Sequence, residues 1–515
     1  MWVVVSFCTI PMYMFSPKEL APTEDQSVLF GIINTAANAT TDHNALYAKA
    51  AEQIMLNVPE SELTFQLLFP PSVGATIGAD GFSGVVVKPW GERDRTVSQM
   101  MPEVQEEISK IPGIQVFMAT PPALPGGSNF PIEFVITSTG DAERLLEFAK
   151  ELQSRAEQSG LFFFPPNIDM KLDQPQANLV FDRDKLAALG MNLSQVGADL
   201  AVATGGDFVN RFNMDGRSYK VIPLIKRADR LTSEQLGFIH VAGPDGQMIP
   251  LSAIAHIEHK VVARSLNRFQ QLNSVKLSGM SARTLDEALG FLEQAAREIL
   301  PSGYSIDYTG ESRQLRTEGN KFLPAFSLAV LMIYLVLSVQ FNSFRDPVVI
   351  LAGSVPLALF GALIFTVLKM PDPNMPHWTS SWTTTMNIYA EIGLVTLVGL
   401  IAKNGILIVE FAGKLQQQGL SKLDAVHQAA MIRLRPILMT SVATIAGHFP
   451  LVLVTGAGAA ARNSIGLVLV GGMTIGTLFT LFVVPALYVL LAKDRSRERE
   501  LPAVRDVAVG PASGV

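Results

Sequence analysis

A single cysteine, Cys8, in 515 residues excludes an intrachain disulfide framework and any Cys-x-x-Cys metal or redox motif. Stability must come from packing. Charge is also scarce: 17% of residues are Asp, Glu, Lys or Arg, and 46 acids against 40 bases leave a net charge of −6. A chain so balanced has no global basic field to attract nucleic acid. No phosphate-cradling glycine loop, nucleophile motif or metal-ligand spacing stands out, so no enzymatic activity, metal site or cofactor is expected. What the chain has in excess is apolar length. Hydrophobic residues make up 48% of it, its mean hydropathy is +0.29, and the apolar residues concentrate after position 320.

Five apolar runs, at 322–341, 347–368, 387–412, 436–454 and 465–491, meet or nearly meet the roughly 20 residues that a membrane-spanning helix needs. Basic residues alternate between the connections: Arg345 follows the first run, Lys414, Lys422, Arg433 and Arg435 lie between the third and fourth, and Lys493, Arg495, Arg497 and Arg499 follow the fifth. By the positive-inside rule the chain enters this bundle from outside and ends in the cytoplasm. Residues of about 17 to 320 are then expected outside the cytoplasm. Residues 1–15 are apolar, short for a span and without a basic start, so they read as the outer part of a truncated transmembrane helix.

The intervening region alternates short strand signals, at 28–34, 85–87, 131–137 and 305–308, with helical periodicity at 141–158 and 284–299. Thr284 and Glu287 predict a capping box at the second of these helices. Sheets covered on one face by helices, as in split βαβ units, are the simplest layer solution. Gly- and Pro-rich joints at 121–128 and 164–175 mark subdomain boundaries. Residues 421–433 read as an amphipathic helix lying along the cytoplasmic surface.

Within the third run, Lys403 followed by Asn404 interrupts an otherwise apolar stretch. An ammonium there costs about 2.5–3.5 kcal/mol on insertion scales and makes Lys403 a candidate for ion or proton handling, the alternative being a lysine that snorkels to the interface. In the fourth run Arg433 and Thr440 are seven residues apart, on one helix face and about 10 Å apart along the axis. Spacing alone leaves open whether they line a proton path or serve as an interfacial anchor and a hydroxyl bonded to its own helix. Arg435 reads as an anchor, Glu391 and Glu410 as interfacial, and His448 as a satisfied bundle residue with no assigned role. Gly472 and Gly476 form a small-xxx-small pattern that permits close helix contact, though glycine is common in membrane helices anyway.

The strings GLIAKNGILIVEFA at 399–412, RLRPILMTSVA at 433–443, VTGAG at 454–458 and DGQMIPLSA at 245–253 resemble the C-terminal half of resistance-nodulation-division (RND) efflux pumps of the hydrophobic and amphiphilic multidrug type. The resemblance runs to about Lys493. It implies a membrane α-helical bundle, with five complete transmembrane helices plus a truncated one, and a large α+β periplasmic region of ferredoxin-like βαβ subdomains. The implied domains are a truncated helix at 1–16, a first porter subdomain at 17–125, the first part of a second at 126–182, a docking insertion at 183–271, the return of the second at 272–320, the five-helix bundle at 321–492 and a cytoplasmic tail at 493–515.

The function it implies is half of a proton-driven secondary transporter that exports drugs, detergents or solvents from a Gram-negative cell. Lys403, Asn404, Arg433 and Thr440 would be the proton relay, driven by the proton-motive force. The implied setting is the bacterial inner membrane, in a homotrimer joined to a periplasmic adaptor protein and an outer-membrane channel. A missing N-terminal half would carry the acidic pair that partners Lys403. The loop at 70–84, with Pro70, Phe82 and Gly84, stands where the family has its switch loop; its single aromatic departs from the aromatic-rich walls of drug exporters. The alternatives are a non-transporting regulatory or interaction half, and a heavy-metal exporter of the same superfamily.

Overall fold

The computed structural model describes residues 2–69, 79–122, 124, 128–206, 208–319, 321–367 and 385–493. These divide into two units: residues 1–35, 41–169 and 267–515 form one, and residues 36–40 with 170–266 the other.

The soluble part of the larger unit holds two sheets. In the first, β1 (Val28–Thr35), β2 (Ser61–Leu68), β3 (Gly81–Val87) and β4 (Ile114–Ala119) are ordered β2-β3-β1-β4, with every pair antiparallel. Helices α2 (Thr41–Leu56) and α3 (Val97–Ser109) cross over between β1 and β2 and between β3 and β4. The spacing of Val97, Met100, Met101, Val104 and Ile108 gives α3 one apolar face, which packs with Leu29, Ile33, Val116 and Met118 in a single core. The second sheet joins strands Ile132–Ser138, Leu272–Gly279 and Tyr304–Tyr308, covered by α4 (Ala142–Gln158) and α5 (Leu285–Ile299). At the start of α5, Thr284 accepts from the Glu287 amide, so the hydroxyl half of the expected capping box forms; the Glu287 carboxylate lies instead 3.9 Å from Arg283.

In the smaller unit, strand Leu172–Phe181 pairs antiparallel with Ala255–Ala263 beside a core that includes Leu186, Val196, Leu200 and Ile254. An exposed hairpin, Asn210–Met214 with Arg217–Val221, turns at Asp215 and Gly216, both with positive φ. Asp-Gly is the pair that a two-residue hairpin turn prefers.

Five helices are long and apolar enough to cross a membrane: α6 (Phe322–Phe341), α7 (Arg345–Val367), α8 (Ile388–Gln417), α9 (Lys422–Leu453) and α10 (Ala459–Leu491). The shorter α1 (Trp2–Phe15) packs on α7, where the Trp2 indole donates to the Ala352 carbonyl at 2.9 Å. In the most apolar 18-residue stretch of each helix, more than half of the residues are buried within the protein for α7, α8 and α10, against 11% for α6 and 17% for α9. The bundle therefore has an inner trio and two peripheral helices.

Glycine makes the inner trio possible. An added Cβ at Gly361 of α7 would sit 2.7 Å from Ile475 Cβ, and one at Gly476 of α10 would sit 2.9 Å from Ala358 Cβ. Both are below real contact distances, so the Gly472 and Gly476 pattern is used for close helix approach.

One expectation is corrected here. Residues 421–433 are not a separate surface helix, because α9 runs unbroken from Lys422 to Leu453 through Pro436 and Pro450. Hydropathy changes along this stretch, but residues 422–435 are helix formers with no turn signal. A proline removes one backbone bond, which membrane helices tolerate.

Candidate functional site

The polar residues of the bundle meet along the seam where α8 and α9 pack antiparallel. Lys403 lies fifteen residues from the first and fourteen from the last residue of α8, and its Nζ donates to Thr444 Oγ1 of α9 at 3.3 Å. Among the described residues no carboxylate lies within ion-pair distance of it.

Next to it, Asn404 is fully buried. Its amide nitrogen donates to Ser441 Oγ at 3.2 Å and to Thr477 Oγ1 of α10 at 3.3 Å. The Thr477 hydroxyl also reaches Ser441 at 3.3 Å, so three helices share one polar knot. The Asn404 Oδ1 has no hydrogen-bond partner among the described residues. Leaving such a group unsatisfied costs about 1–3 kcal/mol, which singles the position out as functional or strained.

Two turns further along α8, Phe411 lies under the Arg433 guanidinium, 4.7 Å from ring centroid to Cζ. The Arg433 Nε is buried without a hydrogen-bond partner among the described residues. The seam thus pairs Lys403 with Thr444, Asn404 with Ser441, and Phe411 with Arg433, in antiparallel order.

Thr440 is not in direct contact with Lys403. Its hydroxyl donates to the Ile437 carbonyl at 3.1 Å, while its own carbonyl accepts from Thr444 Oγ1 at 2.7 Å. Lys403 therefore reaches Thr440 only through Thr444. One turn beyond, His448 Nδ1 is 2.7 Å from the Thr444 carbonyl. A carbonyl can only accept, so Nδ1 carries a proton. Thr440 is exposed, as are Met439 and Val442 beside it, so the polar seam opens onto the uncovered surface of α9. Glu410 pairs with Lys414 at 2.7 Å, one helical turn away.

Of the residues singled out in sequence, Lys403 and Asn404 share a site; Arg433 lies along the same seam, and Thr440 is linked by one intermediary. Ser441, Thr444 and Thr477 escaped notice, although the i, i+4 spacing of Thr440, Thr444 and His448 was a usable signal for a polar stripe. Pro70 lies outside the described residues. Phe82 and Gly84, expected in a loop, stand on strand β3. There Phe82 makes an edge contact with Phe69 at 5.6 Å, and a side chain at Gly84 would strike the Phe65 ring. Alternation of Gly81, Ser83 and Val85 with Phe82, Gly84 and Val86 is the strand period that the loop reading passed over.

A second titratable group sits outside the spans. After α1 the chain runs beside the start of α8: Met386 N donates to the Pro17 carbonyl at 2.8 Å and Glu19 N to the Met386 carbonyl at 3.1 Å. Burial here pushes the Glu19 carboxyl up to about 7, against the opposing effect of a hydrogen bond from Thr385. Because the folded state holds this proton to a higher pH than the unfolded chain, stability is greatest below about pH 4.5 and falls as pH rises to about 7, by at most about 3 kcal/mol. Glu19→Gln is expected to flatten that part of the pH profile and to raise the melting temperature at pH 8. Thermal unfolding of both proteins between pH 5 and 8 checks this, and parallel profiles would refute it.

Residues 1–492 match the AcrB/AcrD/AcrF family across both the seam and the soluble sheets. The chain belongs to that family. Its sequence is 38% identical over 499 residues to an uncharacterized transporter of Haemophilus influenzae, covering 96% of this chain and 47% of that protein. It is 30% identical over 488 residues to the multidrug/solvent efflux pump membrane transporter MepB of Pseudomonas putida, covering 92% and 45%. With the multidrug export protein AcrF of Escherichia coli it shares 29% over 502 residues, covering 94% and 46%. This RND-family chain therefore spans about half the length of the curated relatives it matches.

Proposed function

We propose that the chain is the C-terminal half of a proton-driven RND exporter of hydrophobic or amphiphilic small molecules, with its relay at Lys403, Asn404, Arg433 and Thr440 and with Thr444 joining the first to the last. The observation that carries the proposal is an intramembrane lysine whose only described polar contact is a hydroxyl, beside a seam open on the weakly buried helix α9. An ammonium at that membrane depth calls for a compensating charge. The group that fits is a carboxylate pair on a helix covering α9, supplied by the remaining half of the transporter. Protonating those carboxylates weakens their pairing with Lys403 and releases the helices from one another. Inward proton flow then drives helix displacement, and no cofactor or covalent chemistry is needed.

In this reading the β1–β4 sheet with α2 and α3 is a ferredoxin-like porter subdomain on the periplasmic side, and the smaller unit is a docking element. The assembly is an inner-membrane trimer joined to an adaptor and an outer-membrane channel. The efflux functions carried in the names of MepB and AcrF support the substrate class.

The test is dye efflux in a pump-deficient Gram-negative strain expressing this chain together with an N-terminal RND half. Efflux that needs both segments and disappears with Lys403→Ala is expected. Equal efflux from the Lys403→Ala protein would sink the relay assignment.

A further inference from the structure

Relay helix α8 and helix α10, which shares its polar knot, begin near the first soluble sheet, and the chain between α1 and β1 is bonded to both. Glu24 Oε1 accepts from the Ala461 amide at 2.9 Å, in the first turn of α10. That amide is one of the four donors a helix start leaves without an internal partner, and a carboxylate there also meets the positive end of the helix dipole. The next residue, Asp25, does the same for a soluble helix: its Oδ2 accepts at 2.7 Å from the Val97 amide, the first residue of α3. Two adjacent carboxylates thus hold the starts of two helices, one in the bundle and one on the sheet.

A second path joins the same two ends. Arg93, whose side chain is fully buried, grips Asp25 through both oxygens at 2.8 and 2.9 Å. Its guanidinium stacks over Trp90 at 4.4 Å. Trp90 lies against Gly456, where the chain turns with φ +97° on its way into α10. A two-toothed arginine–carboxylate pair fixes direction as well as distance. The α8 start is tied in too, because Asn387 caps that helix and donates to Ser464 of α10 at 3.2 Å. Beside the joint is a cavity of about 500 Å³, lined in part by Glu19, Thr455 and Asn463.

We propose that Glu24 and Asp25 are positioning residues that couple displacement of the relay helices to the β1–β4 sheet through α3. The proposal rests on the proton-driven reading above for its purpose, but the joint is testable without transport. Coupling is reciprocal: what loosens one end must loosen the other. A purely local capping role would confine each effect to its own helix.

Amide hydrogen exchange on the full chain in lipid nanodiscs reads this directly. Glu24→Ala, which removes a contact to α10 alone, is expected to speed exchange in residues 97–100 of α3 by at least about threefold. Asp25→Ala is expected to do the same to residues 459–464 of α10. Thr96→Ala, which loosens the start of α3 through its own cap, should likewise speed exchange at residues 459–464. Glu24→Gln, which keeps an acceptor oxygen, should restore most of the native protection at α3. Asp25→Ala strands the buried Arg93; should that protein not fold, Asp25→Asn replaces it with the same expected direction. Exchange changes confined to the substituted end in both variants overturn the proposal. If the ends communicate while Lys403→Ala still transports, the proton-driven reading fails and the joint stands.

Discussion

Replacing Lys403 by methionine is expected to reduce proton-coupled efflux to background, at least about a hundredfold, while making the isolated chain more stable. The two effects have one origin. In this chain the ammonium has Thr444 as its described polar contact, and insertion scales put such a charge about 2.5–3.5 kcal/mol above an apolar residue at mid-span. Methionine keeps the length and removes the charge, so the purified chain should gain about 2 kcal/mol or more. Alongside the carboxylate-bearing helices proposed above, the same substitution strands buried acids, a change that typically costs about 3–5 kcal/mol. Thermal unfolding of the chain with and without its partner half therefore gives opposite signs for one substitution. A loss of stability in both settings would mean that Lys403 already has its counter-charge within this chain.

The second large effect is steric. Gly361→Val is expected to destabilise the bundle by about 1–3 kcal/mol, the usual range for forcing methyl groups into a full interior. The first atom added meets Ile475 Cβ at 2.7 Å and the Gly471 carbonyl at 2.8 Å. Neither is the free end of a flexible side chain, so α7 and α10 must part. Gly399→Val on α8 is the control, since nothing lies within 4 Å of its added Cβ. It should change the melting temperature little. Unfolding in detergent compares the pair directly, and equal shifts would show that helix propensity rather than contact sets the cost.

Much of this could be read from sequence where one physical signal dominated. Residues 322–341 were bounded correctly because hydropathy alone defines a span and Asn342 ends it in the left-handed region at φ 46°. Strand 132–138 and helix 142–158 stood within a residue of expectation, since apolar period and polar flanks agree there. Helix α9 was divided because its amphipathic and membrane portions differ in composition, while backbone hydrogen bonding continues across the join. The polar residues of the seam were legible as residue types and as a family string, but their wiring was not. Which hydroxyl Lys403 meets depends on how α8 and α9 cross, and Thr444 is four residues from Thr440, on the same stripe. The Glu24–Asp25 joint was likewise invisible, because both of its amide partners are backbone groups with no signature in the side-chain sequence.

The glycine contacts between α7 and α10 carry a consequence for how sequences of this kind can drift. Where two backbones touch, every substitution is an enlargement, so Gly361, Gly471, Gly472 and Gly476 form a block that changes together or not at all. The outer surface of α6, with Leu328, Met332 and Val339 exposed, need only remain apolar and can exchange one aliphatic residue for another freely. A saturation mutagenesis survey of the spans would therefore divide by helix: near-total intolerance along one interface, and broad permissiveness across the faces turned outward.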